Sequence, residues 1–190
     1  NKMLKEVYNV PDMNEMDRRR YIGYVHFMRG YAYYHLLMNW GPLIIVGDEE
    51  LSTSAPAEYY NRERAPYDES VDYICDEFRL ATQGIYSADE QSVNYYQRPT
   101  KGAAMALIAR LRLFQASPLF NGGAAARKCF GTWKRKSDGA YYVNQEYNPR
   151  RWAVAAAAAK QPTKMGYELH TVETDAQNTY PVAYIVPTAK

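Results

Sequence analysis

From about Met13 to Asn39 the chain carries apolar and aromatic side chains around most of a helical circumference. Val25, Met28, Ala32 and Leu36 recur at helical spacing, and Tyr24, Phe27, Tyr31 and Met38 widen the stripe. A helix this broadly apolar packs on more than one side. The chain is thereby restricted to folds in which helices lie against helices. Gly23 and Gly30 sit inside the same segment despite their poor helix propensity, which points to close approach of a neighbouring helix. Gly41-Pro42 ends it.

Three further helices follow from the same reasoning. Val71, Ile74, Cys75, Phe78 and Thr82 define one from Asp68 to Gln83, with Asp68, Glu69 and Asp72 in its first turn. Gly84 stands where a left-handed cap belongs, with Ile85 closing it. Thr100 caps a third, running to Ala116, whose stripe is Ala104, Leu107, Ile108, Leu111 and Phe114. Its alanines leave room for tight pairing. Asn148 and Pro149 open a fourth, with Trp152, Ala156 and Ala159 at helical spacing and Pro162 as its stop. The expected fold is mainly α: antiparallel helix pairs in the manner of tetratricopeptide units, with long irregular loops. The roughly 34-residue self-similarity of true repeats is absent.

The connections are long. Residues 41–67 form one such connection, in which Leu43 to Val46 is a short apolar run expected to lie against the helices and Ser52 to Tyr60 is polar. Residues 119–147 read as loop, with Asp138-Gly139 turning a small hairpin into Ala140 to Val143. Arg127 to Lys136 is the densest basic stretch and reads as solvated. A net charge of +2 leaves no nucleic-acid footprint. No run of about 18 apolar residues is present, so no transmembrane helix is expected.

Cys75 falls on an apolar face and packs as a small hydrophobe, whereas Cys129 has no evident partner, and a disulfide between them is neither supported nor excluded. His26 and His35 lie on the apolar first helix and read as packed there. No metal-ligand spacing, nucleophile motif or phosphate loop occurs, and no carboxylate pair is marked for acid–base work. The expectation is a protein that is not an enzyme and needs no cofactor.

Several blocks together resemble the SusD/RagB family. They are Arg29-Gly30-Tyr31-Ala32-Tyr33-Tyr34-His35-Leu36, Trp40-Gly41-Pro42-Leu43, Arg64-Ala65-Pro66 leading to Asp68–Ile74, Pro99-Thr100-Lys101-Gly102-Ala103-Ala104, and Ala116-Ser117-Pro118-Leu119-Phe120-Asn121-Gly122. Arg151-Trp152 to Ala159-Lys160 and Gly166-Tyr167-Glu168-Leu169 complete the series. They keep the family's order from Tyr21 to about Leu169. The resemblance implies a surface-exposed lipoprotein of the outer membrane in Bacteroidetes-type bacteria. Such a protein captures oligosaccharides or polysaccharides and delivers them to a TonB-dependent, SusC-like transporter. It also implies that residues 1–190 are one SusD-like helical domain of a longer protein, lacking the lipid anchor and a loop-rich C-terminal part. A helical protein-interaction module without sugar binding, and a carbohydrate-active enzyme on a helical scaffold, are the alternatives.

Sugar capture needs flat rings against C–H faces and planar polar groups for hydroxyls. The chain has 19 tyrosines. Those on helices fit core packing, while those on loops are candidates: Trp133, Tyr141 and Tyr142 foremost, then Tyr59 and Tyr60. Tyr95, Tyr96 and Tyr147 stand behind them, with Arg98 and Asn121 as polar contacts.

Overall fold

The computed structural model describes residues 1–168. The expected segments of Leu169, His170, Tyr180 and Val182 to Val186 lie outside the described residues. Six α-helices occur among the described residues: α1 (Lys2–Glu6), α2 (Glu15–Trp40), α3 (Tyr67–Thr82), α4 (Lys101–Ala116), α5 (Gly123–Phe130) and α6 (Arg150–Ala159). The row runs α2, α3, α4, α6, each packed on the next. Consecutive members are antiparallel, so the molecule has two ends. One gathers the C-termini of α2 and α4 with the N-termini of α3 and α6. The other gathers the N-termini of α2 and α4 with the C-termini of α3 and α6.

Local chemistry sets the helix limits. Asn14 caps α2 through its side chain, accepting from the Asp17 amide at 2.8 Å, with Glu15 and Asp17 beside the positive helix end. Gly41, at φ 73°, turns the chain out, which a side chain would resist. Thr100 caps α4 as expected, accepting from Ala103 N at 3.2 Å. Pro66 offers α3 no cap. Instead the Tyr67 amide donates to the carbonyl of Tyr142 at 2.7 Å, so a distant loop satisfies a free helix donor.

The core lies along α3. Val71, Ile74, Cys75, Phe78 and Ala81 are fully buried, with Phe27, Tyr34 and Leu37 of α2 on one side and Ala104, Ile108 and Leu111 of α4 on the other. Each larger side chain contributes about 1.5–3 kcal/mol by leaving water. Leu43 is buried and Ile45 packs against the core, as the apolar run required.

Two helix faces differ from expectation. On α2 the buried stripe is Gly23, Phe27, Gly30, Tyr34 and Leu37, while Met28, Ala32 and Leu36 face out. Both stripes have helical spacing. The glycines mark the true one: a Cβ on Gly23 would lie 2.9 Å from the Ala81 carbonyl oxygen, so α2 and α3 approach through it. On α6 the contact residues are Ala155 and Ala158, not Trp152, Ala156 and Ala159, which are exposed. The phase slips by one position because all these residues but Trp152 are alanine and carry no directional signal. Helix α6 also starts one residue later than expected, at Arg150, with the Asn148 side chain accepting its amide at 3.0 Å.

Other corrections follow from close packing. Gly84 is not left-handed. It is glycine because a Cβ there would collide with the Arg19 carbonyl. Residues 119–147 are not all loop, since Gly123–Phe130 is helical, entered through Gly122 at φ 74° and Gly123 at φ 81°. The Asn-Gly-Gly turn chemistry concealed this helix start, and Arg127 and Lys128 favour its C-terminal turn. The basic stretch thus begins on a helix, though Arg127 to Cys129 are solvated as expected. His35 is exposed, edge-on to Tyr31 at 4.4 Å.

Candidate functional site

The hairpin expected at Asp138-Gly139 is present. Lys134 and Tyr141 bridge antiparallel, Arg135 N donates to the Ala140 carbonyl at 2.8 Å, and Tyr142 N to the Trp133 carbonyl at 3.2 Å. Gly139 turns it at φ 72°. Arg135 braces the turn through Asp138, whose carboxyl falls to about 2 chiefly by that hydrogen bond.

This hairpin projects from an aromatic ladder at the first end of the row. Tyr67 stacks on Phe120 at 4.3 Å, Phe120 on Phe130 at 5.9 Å, Phe130 meets Trp133 at 6.1 Å, and Trp133 meets Tyr142 at 5.0 Å. Tyr67 is buried and Phe120, Phe130 and Tyr142 are partly buried, while Trp133 is 38% and Tyr141 39% exposed. Lys134 lies over the Tyr141 ring at 4.5 Å. A Cβ on Gly41 would stand 3.6 Å from the Trp133 ring, which places the hairpin beside Trp40, itself 71% exposed. The structure therefore stacks Trp133 with Tyr142 and pairs Tyr141 with Lys134 across the same hairpin, at the end of the row where Trp40 stands; Trp40 and Lys134 were left out of the sequence reading. Trp40 was legible as the last residue before a glycine-proline stop, but nothing local showed that a loop from residue 133 would land beside it.

Tyr59 and Tyr60 form a separate pair, edge-on at 5.1 Å. The Tyr59 hydroxyl donates to Glu49 at 2.7 Å, and Arg62 grips the same carboxylate at 2.5 and 2.7 Å. Glu49 is held down to about 2, first by Arg62 and then by Tyr59. The Tyr60 hydroxyl donates to the Ser52 carbonyl. These groups brace their own loop. Its link to the hairpin is Glu63, which accepts from the amide and hydroxyl of Ser137.

Asn121 is not a surface contact. It is fully buried, donating to the carbonyls of Ala116 and Asn148 at 3.2 and 3.0 Å and accepting from the Asn148 amide at 3.2 Å. It ties the end of α4 to the start of α6. Arg98 lies over the rings of Tyr95 and Tyr24 at 4.3 and 5.4 Å, at the opposite end of the row. Tyr147 is exposed.

The buried charges were missed by sequence reading. Glu77 on α3, 3% exposed, accepts from Arg29 Nε at 2.8 Å and Nη2 at 2.6 Å, and meets His26 Nδ1 at 2.9 Å. His26 is therefore partnered by a carboxylate rather than simply packed. Arg29 also reaches Asp48 at 2.7 Å. On the other side of α3, Asp72 holds Arg112 at 2.6 Å, and Asp68 holds Gln115 at 2.9 Å and Arg151 at 2.5 Å. A signal did exist: Glu77, Arg112 and Gln115 fall in the phase of the apolar stripes. Both cysteines are free, Cys75 buried and Cys129 exposed, and burial lifts the Cys75 thiol to about 11.

Paired antiparallel helices with cross-linked charges and an aromatic ledge at one end define a helical scaffold protein. The comparisons name the class further. The family model SusD-like_3, described as starch-binding and associating with the outer membrane, matches residues 1–113, more than half of the chain. The chain belongs to this SusD-like family. No curated protein matches it. Among solved structures, one named BT4246 superposes with a TM-score of 0.73 at 23% identity, covering 86% of this chain and 27% of that one. A SusD-like protein (BF3747) from Bacteroides fragilis gives 0.61 at 21% identity, covering 89% and 25%. A SusD superfamily protein from Bacteroides vulgatus gives 0.53 at 17%, covering 90% and 28%. These likenesses establish the fold. The chain spans about a quarter of the length of the solved structures it matches.

Proposed function

We propose that this chain is the helical scaffold of a non-catalytic, surface-exposed lipoprotein of the outer membrane that captures oligosaccharides and delivers them to a TonB-dependent, SusC-like transporter. Family membership carries the reading, since the family is described as starch-binding and outer-membrane-associated. We assign a sugar contact to the ledge of Trp133 and Tyr142, with Tyr141 across the same hairpin and the exposed Trp40 at the same end of the row. Its rings are held by the hairpin ladder and the stack beneath, so little side-chain freedom is lost when a sugar face covers them. Lys134 offers a donor at the rim. Tyr59 and Tyr60 are secondary, because their hydroxyls already serve the loop.

The non-catalytic reading has chemical support. The carboxylates of Glu77 and Glu49 are each gripped by arginine, which holds both below the ordinary carboxylate value and leaves neither with the proton a general acid would donate. The test uses the full-length protein and a panel of soluble polysaccharides in affinity electrophoresis and calorimetry. Wild type is expected to bind at least one polymer without releasing reducing sugar. Trp133→Ala is expected to weaken binding by about tenfold, the effect of losing a central aromatic anchor. Undiminished binding by Trp133→Ala removes the ledge from the site, and failure to bind any glycan removes the function.

A further inference from the structure

At the end of the row opposite the ledge, the turn Val93–Tyr95 and its continuation to Arg98 expose two large side chains. Val93 is 88% and Tyr96 80% exposed. Yet the turn is anchored. The Tyr95 amide donates to the Ser92 carbonyl at 2.9 Å and the Arg98 amide to the Tyr95 carbonyl at 2.9 Å, while Gln91 Nε2 donates to the Arg98 carbonyl at 3.1 Å. The Arg98 guanidinium lies over Tyr95 at 4.3 Å and Tyr24 of α2 at 5.4 Å, and Arg20 lies over Tyr86 at 4.5 Å and Tyr95 at 5.9 Å. This alternation of cations and rings pins the base of the turn to α2. Tyr96 is left outside, with the Asn94 and Gln97 amides in the same turn and a recess of about 480 Å3 among residues 93–98.

An outward ring beside amides on a braced turn is the combination that meets a sugar: one face for C–H groups, planar donors and acceptors for hydroxyls. We propose that the 93–98 turn is a second carbohydrate contact, with Tyr96 as its stacking ring, so that the glycan captured is one long enough to reach both contacts rather than a di- or trisaccharide. The proposal rests on the glycan-binding reading above. The two contacts are separated by the length of α3, whose 16 residues span about 24 Å. A glycan long enough to touch both ends gains from the high effective concentration of its second contact, whereas a di- or trisaccharide meets one end at a time.

The experiment measures binding of the full-length protein to the polysaccharide it retains in the panel and to the trisaccharide of the same linkage. Variants are Tyr96→Ala, Tyr96→Phe and Trp133→Ala, each with its unfolding temperature. Tyr96→Ala is expected to lower polymer affinity by roughly threefold or more, leave trisaccharide affinity at the ledge unchanged, and keep the wild-type unfolding temperature. Tyr96→Phe keeps the ring and is expected to keep polymer affinity. Polymer binding unchanged in Tyr96→Ala overturns this proposal alone. Equal losses for polymer and trisaccharide overturn it as well, because the turn would then not be a separate contact. A loss of affinity tracking a lowered unfolding temperature overturns it in favour of a packing role. A wild type that binds no polymer overturns the glycan reading and this proposal with it.

Discussion

A carboxylate buried between two helices survives only where cations meet it, and Glu77 is met by Arg29 and His26. Burial raises its pKa, the hydrogen bonds from His26 and Arg29 lower it, and the balance lies below the ordinary value. The sign follows from linkage. A depressed carboxyl contributes fully above its unfolded pKa of about 4.3 and is lost as pH falls through the folded value. The unfolding temperature, followed by circular dichroism, is therefore expected to fall below about pH 4, and to fall less steeply in Glu77→Gln. Glu77→Ala leaves the Arg29 charge without its principal partner and is expected to lose about 3–5 kcal/mol near neutral pH. A loss under about 1 kcal/mol would contradict that role. At this scale the sequence is legible where a residue's role is local. Thr100 was readable as a cap, and Cys75 as a small packed hydrophobe. Asn121 was not, because its second partner, Asn148, arrives from 27 residues further along the chain.

The helices themselves were largely readable. Thr100, Gly41-Pro42 and the end read at Ala116 mark limits that agree with the structure within a residue or two. Which face turns inward was less readable. A broad stripe on α2 allows two phases, and an alanine run on α6 allows several. The assignment of Ala155 to the α4 contact can be tested directly. Ala155→Leu is expected to destabilise by about 1–3 kcal/mol through overpacking, while Ala156→Leu on the exposed side stays within about 0.5 kcal/mol. Chemical denaturation of both variants measures this. The reverse order would restore the phase first read from the sequence. Helix α5 was missed for another reason: its two opening glycines adopt left-handed angles, which read as a turn rather than as a helix entrance.

Across the molecule, the single row leaves helix faces open. Met28, Leu36 and Trp40 project from the outer side of α2, and Trp152 and Val154 from α6. Exposed apolar surface of this extent invites contact. The 190-residue chain is expected to enhance the fluorescence of a hydrophobic dye while natively folded, and Met28→Lys with Leu36→Lys is expected to reduce the signal without lowering the unfolding temperature. An unchanged signal would show that the outer face of α2 contributes nothing to it.

Period, caps and stops are written within a few residues of one another, because backbone geometry repeats every 3.6 residues and end groups are satisfied locally. Those features, with the ordered family blocks, made the helical architecture readable before any coordinates. The inward phase of each helix, the pairing of Glu77 with Arg29, and the approach of Trp133 to Gly41 were not readable. Each depends on which atoms arrive from distant parts of the chain, and burial, charge compensation and ring exposure take their values only once those neighbours are in place.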